Sequence, residues 1–365
     1  MAIRIVTLVA ASVLLGVSPD NLSGMRASVS IQIANGPVPV AGAFSADGRR
    51  FAIVRDDDSI VVRDSFGARR IQLEGFHRLP VSSRFSAVRH SIAFNAAGSK
   101  VLAGTYTTDG FLDHSGVVRA RLYLFSVLQN RAQPSRYWND VAMRSAAFSS
   151  DGTRLIVRSP ELSDSPDTVL RIALRGGILE KWIPVNSLAP CNLSDGFQFS
   201  VPMSVRGGDD VILPGVACGK DVPGPVQLYN IPQRRALIAY QGSAGLAPVA
   251  IDADATTVRM IANGVLRFWG TQTGAPQGQS DVDVPMSESG KVIALRVGGT
   301  YAVVITMSSR AYPRSDPSYA ITLYRTHDAR AIARASGKGY VVAADIMSNG
   351  SVGVITDRAV DFRQR

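Results

Sequence analysis

The sequence predicts an all-β fold, a seven-bladed β-propeller closed by an N-terminal strand. Three observations predict it. The phrase AFSADGRRFAIV (43–54) returns as AFSSDGTRLIV (147–157), and looser copies recur about every 50 residues. Each copy is followed by further short strands of alternating or continuous apolar character. No amphipathic helix pattern is present beyond the first 17 residues.

The copies are Phe44–Gly48, Phe94–Gly98, Phe148–Gly152, Met203–Gly207, Ile251–Ala255, Met286–Gly290 and Ile346–Gly350. Each reads as a hairpin. A large apolar residue ends the first strand, Ser, Asn or Asp bonds the turn backbone, and Gly accepts a positive φ. The second strand then begins, with an apolar residue at Phe51, Val101, Leu155, Val258 and Ile293. Copies four and seven shift by one, to Val211 and Val352. The residue before each anchor is Ala43, Ala93, Ala147, Pro202, Ala250, Pro285 or Asp345. Small residues suit an inner strand packed on both faces. Asp345 departs and requires a partner.

Third strands follow as SIVVRD, ARLYLF, VLRIAL, VQLYNI, VLRFWG, AITLYR and AVDF. Fourth strands include ARRIQL (68–73) and RRALIAY (234–240). Four short strands per repeat, seven times over, describe a propeller. The last repeat ends the chain without a fourth strand. The segment 27–34, ASVSIQIA, alternates as a strand and is expected to fill that place, hiding two open edges.

FSxDG resembles the propeller repeats of WD-repeat proteins and of the Tol translocation system's propeller subunit. VLRFWGTQTG (265–274) is similar to the WD-repeat strand that ends in Trp-Asp, with Gly270 in place of Asp. No copy keeps the full His–Asp–Trp signature, so the resemblance is to a degenerate member. It covers roughly residues 30 to 365 and implies the fold; on function it says almost nothing, since propellers host many.

The N-terminus reads MAIRIVTLVAASVLLGV, with Arg4 ahead of 13 apolar residues (5–17). That is short for a bilayer span and fits a secretory signal. An uncleaved anchor and a true start at Met25 are the competing readings. The expected organisation is a signal peptide or short apolar segment at 1–26 and one propeller at 27–365. Periplasmic or secreted localisation follows, with a cytoplasmic scaffold as the alternative. In an oxidising compartment Cys191 and Cys218 are expected to form a disulfide, against a reading as two unpaired thiols.

The formal charge is +10, and 34 of the 39 basic residues are Arg. They are scattered, which argues against nucleic acid as a partner. Membrane contact is expected only through an uncleaved N-terminal segment. His77, His90, His114 and His327 have no partner at metal-ligand spacing. No metal or cofactor is expected. Asp56–Asp58 reads as a solvated turn. Asp281 and Asp283 are weak metal candidates near a channel mouth. Trp269 reads as core.

Loop length is the most informative asymmetry. The connections between second and third strands are tight in blades 1, 5 and 7, with Asn263-Gly264 the strongest hairpin signal. In blades 2 (104–117), 3 (159–168), 4 (214–225) and 6 (307–318) they read as long. Long loops on a rigid scaffold are where binding concentrates. The candidate partner-binding face therefore carries Tyr106, Phe111, His114, Tyr137, Trp138, Tyr312 and Arg314. The expected function is a non-catalytic exported scaffold for protein–protein interaction, as a monomer. A propeller hydrolase or lactonase with a channel-mouth metal is the alternative, and a cytoplasmic WD-repeat-like scaffold is another.

Overall fold

The computed structural model describes residues 23–33, 36–65, 70–77, 79–80, 86–109, 117–127, 132–149, 152–159, 168–175, 179–182, 204–205, 210–216, 223–230, 232–233, 235–246, 248–254, 256–282, 290–298, 300–308 and 317–364. Among the described residues, seven antiparallel sheets form the blades of a propeller.

Blade 1 is β3 (Pro39–Phe44), β4 (Arg50–Arg55), β5 (Ile60–Asp64) and β6 (Arg70–Leu73). Blade 2 is β7 (Ser86–Phe94), β8 (Lys100–Asp109), β9 (Val117–Ser126) and β10 (Arg136–Asn139). Blade 3 is β11 (Ser145–Phe148), β12 (Arg154–Ser159), β13 (Thr168–Ala173) and β14 (Leu179–Trp182). Blade 4 is β15 (Ser204–Val205), β16 (Asp210–Val216), β17 (Pro223–Asn230) and β18 (Arg235–Ala239). Blade 5 is β19 (Pro248–Ala253), β20 (Thr257–Ala262), β21 (Val265–Gly270) and β22 (Pro276–Asp281). Blade 6 is β23 (Gly290–Gly298), β24 (Tyr301–Ser308), β25 (Ser318–Arg325) and β26 (Ala331–Lys338). Blade 7 is β27 (Val341–Ile346), β28 (Val352–Thr356) and β29 (Ala359–Gln364). The first strand of each blade touches the first strand of the next, and β27 returns to β3.

The repeated phrase is a turn clamp. Ser45 Oγ accepts the Arg50 N–H (2.9 Å), and Ser149 Oγ accepts the Arg154 N–H (2.9 Å). In blade 2 the amide oxygen of Asn95 takes the same place under the Lys100 N–H (2.8 Å). The Gly of each turn has positive φ, +68° at Gly48, +62° at Gly98, +66° at Gly152 and +78° at Gly350. A side chain there would be strained, which is why the repeat ends in Gly.

Register corrects the sequence alignment in blades 4 to 6. Gly290 opens the inner strand β23, so Met286–Gly290 is not the first turn of blade 6, and Ile293 belongs to the inner strand. The true turn pair is Val297 opposite Ala302, with Gly298 and Tyr301 closing the turn beyond it. In blade 5 the last inner-strand pair is Ala253 with Val258, two residues beyond Ile251. In blade 4 it is Val205 with Val211. The signature "apolar, polar, polar, polar, Gly" also describes the start of an inner strand, and composition alone does not distinguish the two ends.

The N-terminal β2 (Arg26–Gln32) runs antiparallel along β29, from Arg26 opposite Gln364 to Gln32 opposite Ala359. It supplies the fourth strand of blade 7. Ser30 Oγ donates to Asp361 Oδ1 (2.7 Å), and Tyr319 of blade 6 donates to Asp361 Oδ2 (3.0 Å). One carboxylate thus ties the closing strand, blade 7 and blade 6 together. A short β1 (Ser23–Gly24) adds in parallel to the outer edge of β26. Ser23–Arg26 is therefore part of the folded ring, whereas the sequence placed it with the leader.

The core lies between blades. Phe44, Phe51 and Phe362 fill the junction of blades 7 and 1, with Phe44 edge-on to Phe362 at 5.5 Å. Gly42 is required there by space. A Cβ on it would stand 2.6 Å from Ile355 Cδ1.

Candidate interaction face

Two connections of every blade emerge on one face of the ring: the turn between second and third strands, and the link to the next blade. In blades 1 and 7 this face is held by a repeated pair of backbone clamps. The Val38 N–H donates to Asp56 Oδ1 and the Asp56 N–H to the Val38 carbonyl, both at 2.9 Å. The Tyr340 N–H donates to Asp357 Oδ1 (2.8 Å) and the Asp357 N–H to the Tyr340 carbonyl (3.0 Å). An Asp in the tight turn thus fixes the start of the inner strand beside it.

These starts are apolar and exposed. Val38 is 45% exposed, Val40 42% and Tyr340 55%. They belong to adjacent blades whose inner strands are neighbours. Three of the five exposed large hydrophobic side chains among the described residues therefore sit at one place. Scattered single residues need no explanation, but a group at adjacent strand starts does.

Strand length makes this place low. Counted from the turn pair, the second strand covers 51–55 in blade 1 and 352–356 in blade 7. It covers 101–109 in blade 2 and 302–308 in blade 6. At about 3.3 Å per residue, blade 2 rises roughly 13 Å higher and blade 6 roughly 7 Å. The short blades 7 and 1 lie between these two taller ones. The link from blade 1 to blade 2 buries Phe76 and Leu79, with Phe76 in the core shared by the two blades. Beside Phe76, His90 Nε2 stands 3.1 Å from Asp58 Oδ1, both side chains buried.

The residues expected on this face fall in three groups. Phe111, His114, Tyr312 and Arg314 lie outside the described residues, as do Cys191 and Cys218. Tyr106 lies within β8, only 9% exposed, against Ala120 and Ala142. The stretch TYTTD (105–109) that reads as loop is paired strand. Tyr137 and Trp138 lie on β10, the outer edge of blade 2. Tyr137 is 61% exposed, while Trp138 packs on the core between blades 2 and 3. Sequence reasoning missed Val38, Val40 and Tyr340. The signal was available as apolar residues beside tight turns, with nothing long enough to cover them.

Register also defines a layer around the centre of the ring. The residue one step before each turn pair is Ala43, Ala93, Ala147, Ser204, Asp252, Arg296 and Asp345. Blades 1 to 4 contribute small neutral residues. Blades 5 to 7 contribute alternating charges. Burial pushes the Asp345 carboxyl up to about 6, opposed by Arg296 and assisted by Asp252. Arg296 is thus the countercharge Asp345 requires. Across the strand from Asp252 lies Arg259, fully buried, with Nη1 3.5 Å from Asp254 Oδ2. Burial lowers its guanidinium to about 10, against the pull of Asp254 and Asp252.

The other candidates are ordinary. Asp57 Oδ1 accepts the Ser59 N–H within its own turn. Trp269 is buried and donates Nε1–H to the Gln241 carbonyl (2.7 Å). Asp281 ends β22, the outermost strand of blade 5, and Asp283 lies outside the described residues. Among the described residues, no three His, Cys, Asp or Glu side chains come together as a metal site.

No family model matches the sequence, and no curated protein matches it. Solved structures do match. The β-propeller domain of Cps50 (Swd1) from Myceliophteria thermophila superposes with a TM-score of 0.59 over 93% of this chain and 99% of that one, at 10% identity. At that identity the likeness shows the fold alone. In all, 858 solved chains match, as expected of a widely used architecture, so the match selects no activity.

Proposed function

We propose that the protein is a non-catalytic scaffold that binds another protein through the face carrying Val38, Val40 and Tyr340. The observation that carries this reading is their exposure at adjacent strand starts, low between two taller blades. Apolar and aromatic side chains on a rigid floor make binding anchors that lose little conformational entropy. The floor belongs to the blades with tight turns.

The remaining elements of the reading rest on the sequence. The basic and apolar N-terminus supports a periplasmic or secreted protein. Closure of the ring by the chain's own N-terminal strand supports a monomer.

The test is capture with the purified protein as bait, from cell envelope and periplasm. A Val38→Ser/Tyr340→Ser bait is expected to lose the partners that the unaltered protein enriches, with its melting unchanged. Retention of every partner by that bait contradicts the assignment of the face.

A further inference from the structure

We infer that Ser23–Met25 is a strap belonging to the working protein, so that any leader ends before Ser23 and translation from Met25 gives a weakened ring. This goes beyond the binding role and does not depend on it. The strap works through three consecutive residues. Ser23 pairs with Ala333 and Gly24 with Arg334, in parallel along the outer strand of blade 6. The Met25 N–H then donates to the Arg334 carbonyl (3.0 Å). Its side chain is 6% exposed, in a cluster that joins Val303, Ile305 and Leu323 of blade 6 to Val341 and Val352 of blade 7. The next residue, Arg26, opens the strand that completes blade 7. The chain thus crosses from blade 6 to blade 7 through Met25, just before the strand whose pairing with β29 closes the ring.

Two other starting points conflict with this geometry. A chain beginning at Met25 lacks β1 and places a charged α-amino group at a nitrogen now bonded to a carbonyl at the edge of a core. A cut after Met25 removes the buried side chain as well. The first start loses the pairing that holds the strap to blade 6, and deleting a buried Met opens a cavity. A cut at or before Ser23 disturbs neither. The chain preceding Ser23 meets the ring at its rim, because β26 is the outermost of the four blade 6 strands.

Two measurements test this. The first is the intact mass of the full-length gene product recovered from the cell envelope and periplasm. An N-terminus at Ser23 or anywhere before it is expected, an uncleaved chain included. An N-terminus at Met25 or later overturns the inference. The second is thermal unfolding of Met25→Ala in the full chain, with Met25→Leu as the conservative control. Met25→Ala is expected to lower the midpoint by about 5 °C or more, and Met25→Leu to restore most of it. An unchanged midpoint in Met25→Ala overturns the strap even if the mass agrees.

Discussion

Blades 7 and 1 and blades 2 and 6 are built from the same repeat and end at different heights. All four share the inner-strand meander. Blades 7 and 1 stop where an Asp in a tight turn clamps the next strand start. Blades 2 and 6 run on for further residues of paired strand. The difference teaches that the ring is set by the turn-side half of each blade, where Ser, Asn and Gly fix the register. The other half is free to vary in height. Relief on the face therefore comes from strand length, and the low ground between the two tall blades carries Val38, Val40 and Tyr340.

The largest expected effect tests what supports the short blades. Phe362 is buried between Phe44 and Phe51 at the junction of blades 7 and 1. Phe362→Ala is expected to lower unfolding stability by about 3–5 kcal/mol, read by denaturant titration. A loss below about 1 kcal/mol would mean that the junction is not packed as described.

Next comes Asp345, also in blade 7. Its carboxyl is raised to about 6 in the folded protein against 3.8 ordinarily. The folded state therefore binds the proton more tightly than the unfolded chain. The stabilisation from that proton is complete below about pH 4 and disappears as pH rises through about 6. Asp345→Asn is expected to flatten this part of the stability–pH curve and to add about 1–2 kcal/mol at pH 7.5, after discounting for partial exposure. An unchanged curve between pH 4 and 7 would remove the charged arc of blades 5 to 7 from the account.

A comparable effect sharpens the contrast from the tall side. Tyr106 packs on Ala120 and Ala142 in the extension of blade 2. Tyr106→Ala is expected to destabilise by about 1–2 kcal/mol, measured by thermal unfolding, because a buried ring leaves a gap. If stability is unaffected, Tyr106 is a surface residue and the extension of blade 2 is a loop after all.

The same contrast explains what could be read from the sequence. The blade number and the first turns were legible because Phe-Ser-x-Asp-Gly encodes its own hydrogen bonds, as at Ser45 and Ser149. The closing strand was legible because alternation at 27–34 met a last blade lacking a partner. The heights were not legible. TYTTD looks like a polar loop, although β-branched Thr suits a strand, and only pairing with β7 and β9 decides between them. The charged arc was hidden for a related reason. Asp252 and Arg296 are equivalent to Ala43 only once register is known, and the turn signature misplaced both blades. Val38 and Tyr340 precede strands as ordinary linker residues. Their grouping arises from the ring, which brings together positions some 300 apart in the chain.

The smallest effect on stability belongs to the substitutions that should matter most for binding. Val38→Ser/Tyr340→Ser truncates two half-exposed side chains and is expected to change stability by about 1 kcal/mol or less. The direct test sets this variant against Arg49→Ser, an exposed turn residue on the opposite face. Both are used as bait beside the unaltered protein, and the enriched partners are quantified by mass spectrometry. The account predicts that partners are lost from the Val38/Tyr340 variant and kept by Arg49→Ser. Loss with Arg49→Ser and retention with Val38→Ser/Tyr340→Ser would contradict it.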